Sequence, residues 1–330
     1  MTPNSPETLL ALGYYQYWVL FDNEAARATF EHVGKLLPGS SEVPFALAYV
    51  FRREGHWKES VAQFEQALTL DPRNVELLDD AGETYALQRQ FATARKLFDR
   101  VLDITPTDLN VTASKVSLYQ AEGNLQEAAR FLSGISESSP QWAFDTKIRQ
   151  LRLERNYDEA VRLLQARLAQ FHYPTLLDKS RHQVTLAVIQ RLAGDAVGAK
   201  IIAEQARNAL EQLDKNQPGS PYIAVPLSNA YAVIGEKDLA LNLADRAIMF
   251  LRDRKDLLKE PGMEENLAML QTMFGENSSA ISILSKLLQT SYDSWVHSWV
   301  ITPALLRLEP IWDPLRSDPA FRKLCEEKQK

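Results

Sequence analysis

Apolar residues along this chain recur at three-and-four spacing through most of its length, in long blocks separated by short polar breaks. The run "AVIQRLAGDAVGAKIIAEQARNALEQL" keeps that helical period over more than twenty positions. No strand signal competes with it, so the pattern predicts an all-α fold. A helix is expected almost at once, with Ser5 able to cap it and Pro6 at its first position. The apolar run "LLALGYYQYWVLF" (residues 9–21) lacks a basic flank and a small-residue cleavage site, and it is too short to span a bilayer. A signal peptide and direct membrane insertion by this chain are therefore not expected. So abrupt a start suits a piece of a longer protein.

Proline punctuates the pattern. Pro38, Pro72, Pro106, Pro140 and Pro174 fall thirty-four residues apart, and before each of the first four the same order of residue types returns. Residues 75–108 carry Leu78, Ala81-Gly82 and Tyr85, then Phe91, Ala94, Phe98, Val101 and Pro106. Residues 41–74 carry Leu47-Ala48, Phe51, Gly55, Trp57, Phe64, Ala67 and Pro72, and residues 109–142 carry Tyr119, Gly123, Ala128, Leu132, Ile135 and Pro140. This order resembles the tetratricopeptide repeat, a two-helix unit of thirty-four residues. Small residues such as Ala94 and Ala128 let the second helix approach the first. Gly55 and Gly123 fall in the turn between helices, and proline stops the second helix. A lone pair cannot bury its apolar faces, so the units must stack.

Beyond Pro174 the unit lengthens. Its turn signature continues as "RNYDEA" (155–160), "AGDAVGA" (193–199), "IGEKDLA" (234–240) and "FGENSSA" (274–280). The small residue opening each second helix falls at Ala26, Ser60, Ala94, Ala128, Ala160, Ala199, Ala240 and Ala280, with spacings of 34, 34, 34, 32, 39, 41 and 40. The expectation is a single right-handed α-solenoid over residues 1–330 with about eight helix-turn-helix repeats. Five near-34-residue repeats would occupy 7–174, three longer ones 175–301, and a capping segment 302–330.

Composition narrows the function. The 330 residues are 45% apolar and 24% charged, with net charge −6 and pI near 5.5, so no basic surface predicts nucleic-acid binding. The one cysteine, Cys325, has no partner for a disulfide or a metal site. There is no phosphate loop, GxGxxG or GxSxG, and His32, His56, His172, His182 and His297 never pair at ligand spacing. The acidic cluster "LLDDAGE" lies on a solvated helix face, which does not give two carboxyls the unequal environments that acid–base catalysis needs. No catalysis, cofactor or metal is expected, and the solenoid points to partner binding instead.

In tetratricopeptide proteins the first helix of each pair lines a concave groove. The resemblance implies contact positions at Tyr14, Tyr17, Phe45, Tyr49 and Arg52 with Arg53 beside it, then an acidic patch of Glu76, Asp79 and Glu83. Arg149, Arg152, Arg181 and Arg191 follow, then Tyr222 and Asn229. The expected partner-binding set is Tyr14, Tyr17, Phe45, Tyr49, Arg52, Arg53, Glu83, Arg149 and Arg152, because aromatics beside arginine dominate binding hot spots. The clamp some relatives use on chaperone tails is absent, since Leu10, Phe45, Asp79 and Ala113 stand where it needs lysine.

The segment "TPALLRLEPIWDPLRSDPAFRKL" (302–324) is unlike the rest. Thr302-Pro303, Asp313-Pro314 and Asp318-Pro319 each read as a helix cap followed by proline, so short helices are expected, burying Leu305, Leu306, Leu308, Ile311, Trp312, Leu315, Phe321 and Leu324 against the last pair near Leu284 and Leu287. With "LGYYQYW" and "FGE…AISILSKLL", this tail resembles the end of a tetratricopeptide region in bacterial signalling proteins. There the region follows a Ser/Thr kinase, a nucleotide cyclase or a winged-helix domain. The resemblance implies a non-enzymatic protein- or peptide-binding module, with a small-molecule sensor or self-association as alternatives. It also implies a cytoplasmic place if the chain stands alone and an extracytoplasmic one if it is part of a membrane-anchored protein.

Overall fold

The computed structural model describes residues 5–296 and 299–326. Its helices run in consecutive packed pairs: α1 (Pro6–Tyr15) with α2 (Asn23–Leu36), α3 (Glu42–Arg53) with α4 (Trp57–Leu70), α5 (Val75–Leu87) with α6 (Phe91–Ile104), and α7 (Leu109–Glu122) with α8 (Leu125–Arg130). Then come α9 (Gln141–Leu153) with α10 (Tyr157–Gln170), α11 (Leu176–Leu192) with α12 (Ala196–Asn216), α13 (Pro221–Ile234) with α14 (Lys237–Asp253), and α15 (Glu260–Met273) with α16 (Asn277–Leu287). Among the described residues there is no strand, and the chain forms an all-α solenoid of eight pairs. The longer later units lie largely in α11, α12 and α14, which reach 17, 21 and 17 residues.

The repeat pattern has direct physical causes. A Cβ at Gly82 would stand 2.6 Å from the Phe98 ring, so glycine there sets how closely α5 and α6 pack. Gly123 ends α7 at φ 81, a conformation glycine adopts without strain. Arg89 and Arg155 hold the equivalent turns at φ 60 and carry a side chain there that the structure uses. The fourth pair departs from the sequence pattern. Its second helix stops at Arg130, short of the full repeat length, and turns follow to Pro140. Leu132 and Ile135 stay buried, while the buried Arg167 donates to the Glu137 and Ser139 carbonyls at 2.8 Å each. Arginine from the next pair thus replaces the missing helical hydrogen bonds.

Three short helices close the described residues: α17 (Pro303–Leu308), a 3₁₀ helix (Pro310–Leu315) and α18 (Pro319–Glu326). Thr302 caps α17 through Leu305 N–H at 3.1 Å, and Asp318 accepts from Ala320 N–H at 2.8 Å. Asp313-Pro314 does not start a helix. It lies inside the 3₁₀ helix, which Glu309 and Pro310 begin. Trp312, Leu315 and Phe321 are fully buried, as are Leu284 and Leu287 beneath the tail.

The tail reaches further than the last pair. Arg89, in the α5–α6 turn, donates to the carbonyls of Leu287 (2.9 Å), Thr290 (2.8 Å) and Ile301 (3.0 Å). Thr302 Oγ1 donates to the Ala121 carbonyl at 2.6 Å, and Arg152 donates twice to the buried Glu309 carboxylate, at 2.8 and 3.1 Å. Arg155 holds Asp313 through two bonds of 2.6 and 2.8 Å. A second seam joins the α14–α15 connection to the α3–α4 turn. There Leu257 N–H donates to the Arg53 carbonyl at 3.0 Å, and the Arg53 guanidinium lies 3.4 Å from the Asp256 carboxylate, both side chains buried. The solenoid closes on itself.

Candidate functional site

Closure places most of the expected N-terminal patch indoors. Tyr17 and Arg53 are each 2% exposed, Phe45 is 5% and Arg52 7%, which corrects the expectation of an exposed aromatic and basic surface. Arg53 lies over the Tyr17 ring at 3.5 Å and donates to the Tyr17 carbonyl at 2.6 Å. Arg52 donates to Thr84 Oγ1 at 3.0 Å and lies 3.5 Å from Asp80 and 3.9 Å from Glu83. Tyr49 donates to Asp80 at 2.7 Å, and the half-buried Tyr14 donates to Glu42 while packing edge-on to Phe30. These side chains are taken up by contacts within the chain.

Arg149 and Arg152 stand elsewhere, in the wall of a cavity of about 570 Å³ on the inner face. Helix α9 contributes Trp142, Asp145, Arg149 and Arg152, α11 contributes Asp178, Arg181, His182 and Thr185, and α13 contributes Tyr222. Lys259 and the folded-back residues 293–296 complete the lining. The sequence register brings Arg149, Arg152, Arg181 and Tyr222 together here, along with Trp142 and Asp145 from the same helix face. It carries no signal for Lys259 or Trp295, which arrive through the returning tail. Arg191 and Asn229 do not line the cavity; Arg191 donates to the Ala232 carbonyl at 3.4 Å.

The charges in this cavity are unequally satisfied. Asp145 Oδ1 is 2.7 Å from His182 Nε2, whose Nδ1 is 2.9 Å from the Tyr173 hydroxyl. Asp178 accepts from Thr175 Oγ1 at 2.7 Å in the first turn of α11. Burial raises the Asp293 carboxyl above its usual range. Arg152 is matched by Glu309. Arg149 has only Ser117 Oγ at 3.4 Å and Gln120 Oε1 at 3.3 Å, and burial, with Arg152 beside it, pushes its guanidinium down to about 10. Lys259 donates to the Tyr222 hydroxyl at 2.5 Å. Among the described residues, no carboxylate lies within ion-pair distance of Arg149, Arg181 or Lys259.

A second cavity of about 330 Å³ shares Trp142 and Asp293 with the first and is lined by Arg52, Asp79, Glu83 and Trp299. Burial, reinforced by Asp80, pushes Asp79 up to about 7 and raises Glu83 well above the usual range, which corrects the expectation that the "LLDDAGE" acids lie on a solvated face. His297 lies outside the described residues. Among those residues no cluster of His, Cys, Asp and Glu is arranged to hold a metal ion, and no helix is long and apolar enough to cross a membrane.

The family model of the tetratricopeptide repeat matches residues 45–108, which span the second and third pairs, so the chain carries tetratricopeptide repeats. No curated protein matches the chain. Among solved structures, a tetratricopeptide repeat protein from Parabacteroides merdae is similar at a TM-score of 0.51 and 16% identity, covering 76% of this chain and 97% of that one. MamA is similar over 45% of this chain and 82% of its own, at a TM-score of 0.37 and 17% identity. Likeness at such identity shows the fold alone.

Proposed function

We propose that this chain is a non-enzymatic interaction module of a bacterial signalling protein, taking a short partner segment into the cavity between α9, α11 and α13. Tetratricopeptide repeats generally serve protein–protein interaction, and their inner face is the usual place for it. The observation that carries the reading is the cavity itself: Arg149 and Arg181, without carboxylates in ion-pair contact, beside Trp142, Tyr222 and Trp295 on the inner face. The chain's own tail fills the face of the third to fifth pairs, so the partner element is a short segment or chain end, not a long extended strand of residues. Of the expected contact set, Arg149 and Arg152 line the site, and the Tyr14–Arg53 group serves the fold. Screening a displayed peptide library tests this: selected peptides should lose binding to Thr185→Trp, which fills the cavity. Peptides that bind this variant as well as the original chain would place the interface elsewhere.

Enclosure by residues 293–296 also favours a second reading, a small-molecule sensor. Under that reading a metabolite library raises the melting temperature through native-state binding while displayed peptides select nothing.

A further inference from the structure

The inner-face cavity presents four cations and three acids, and their states decide what it takes. Asp145 is engaged by His182, Asp178 by the start of α11, and Asp293 is biased by burial toward its neutral form. Arg152 is matched by Glu309, whereas Arg149, Arg181 and Lys259 lack a carboxylate within ion-pair distance among the described residues. Arg149 is the extreme case. It is largely withdrawn from water beside a second arginine and keeps only two long hydrogen bonds to neutral oxygens. Asp145 and Glu309 act on it only from beyond ion-pair distance. A guanidinium so withdrawn from water with no carboxylate in contact is costly, and an oxyanion presenting two oxygens relieves that cost through paired, charge-assisted hydrogen bonds. The surroundings add shape. Trp142 lies under Arg149 at 5.9 Å, and Trp295 packs against Tyr222 at 5.1 Å across the same space.

We infer that this cavity is an oxyanion site, in which Arg149 holds a carboxylate or phosphate, Arg181 and Lys259 add positive field, and Trp142 and Trp295 receive a flat apolar group attached to it. The inference rests on the reading that the cavity is the binding site, and it names the chemistry recognised there.

Isothermal titration of the full chain with benzoate, phenyl phosphate and the neutral benzamide tests it. The structure leads to saturable binding of at least one anion at roughly 0.1–5 mM, with benzamide at least about tenfold weaker. Tighter phenyl phosphate points to a phosphate-bearing ligand, and tighter benzoate to a carboxylate. Arg149→Met should weaken the anion by about tenfold or more, and Arg149→Lys by less. Because Arg181 is exposed, Arg181→Met keeps the fold and should weaken binding by about threefold. Equal binding of benzamide, indifference to Arg149→Met and Arg181→Met, or no saturation by either anion below about 20 mM each overturns the inference. Failure here separates from failure of the interaction reading. Neutral peptides selected independently of Arg149 leave an interaction module without an oxyanion site. Arg149-dependent anion binding with no selected peptide leaves the reverse.

Discussion

At the residue scale, the interior of the ring holds acids where water is scarce. Asp79 is the clearest: one of its oxygens is buried without a hydrogen bond, and burial with Asp80 and Asp108 nearby moves its titration from 3.8 to about 7. The sign follows directly. Between pH 4 and 7 the unfolded chain releases this proton while the folded chain keeps it, so folding loses stability as pH rises through that window. Asp79→Asn should therefore match the original chain near pH 4 and become more stable by about 2 kcal/mol at pH 8, a figure reduced for the partial exposure of the site. Urea melts across that pH range measure it. A constant difference between the two proteins would show that Asp79 titrates as an exposed carboxyl.

At the element scale, the returning backbone makes demands that no local propensity explains. Gly262 lies in the first turn of α15, where alanine would ordinarily stabilise a helix. A Cβ there would meet the Asp293 carbonyl oxygen at 2.2 Å and Trp295 at 2.7 Å. Gly262→Ala should destabilise the protein by ~1–3 kcal/mol and expose residues 289–296 to proteases. Gly134→Ala, with nothing within 4 Å, should change neither property. Equal behaviour of the two variants would mean the segment does not pack on α15. The same contrast marks what the chain discloses when read alone. Helix pairs were legible because Gly82 and Phe98, or Ala94 and Tyr85, act within one unit at fixed spacing. The fate of Arg53 was not, because its partner Asp256 lies in the α14–α15 connection and shares no period with it. The site was half legible for the same reason. Arg149, Arg152, Arg181 and Tyr222 follow the register of their own helices, whereas Lys259 and Trp295 are brought in by closure.

At the scale of the whole molecule, closure changes how a repeat protein should unfold. An open solenoid has contacts only between neighbours, so its ends fray and its units melt in sequence. Here Arg89 binds the Ile301 carbonyl across 212 positions, Arg152 binds Glu309 across 157, and Arg53 pairs with Asp256. These links join the first half of the ring to its end, and both buried ion pairs are strongly destabilised when one partner is removed, by roughly 3–5 kcal/mol each. The intact chain should therefore unfold in one transition, with hydrogen exchange protecting the second and eighth pairs to the same free energy. Arg53→Met should open the seam and remove the guanidinium's contacts with Tyr17, splitting the transition and lowering protection first in α1 to α4. Truncation after Ile301 should do more. Removing α17, the 3₁₀ helix and α18 uncovers Leu284 and Leu287, and takes from Arg152 its counter-charge, Glu309. That chain should aggregate or show an enlarged radius by X-ray scattering. If it stayed monomeric, compact and cooperatively folded, the tail would be an accessory resting on a self-sufficient ring, and the coupling between ends would run through the Arg53 seam and the Arg89 bonds to Leu287, Thr290 and Ile301.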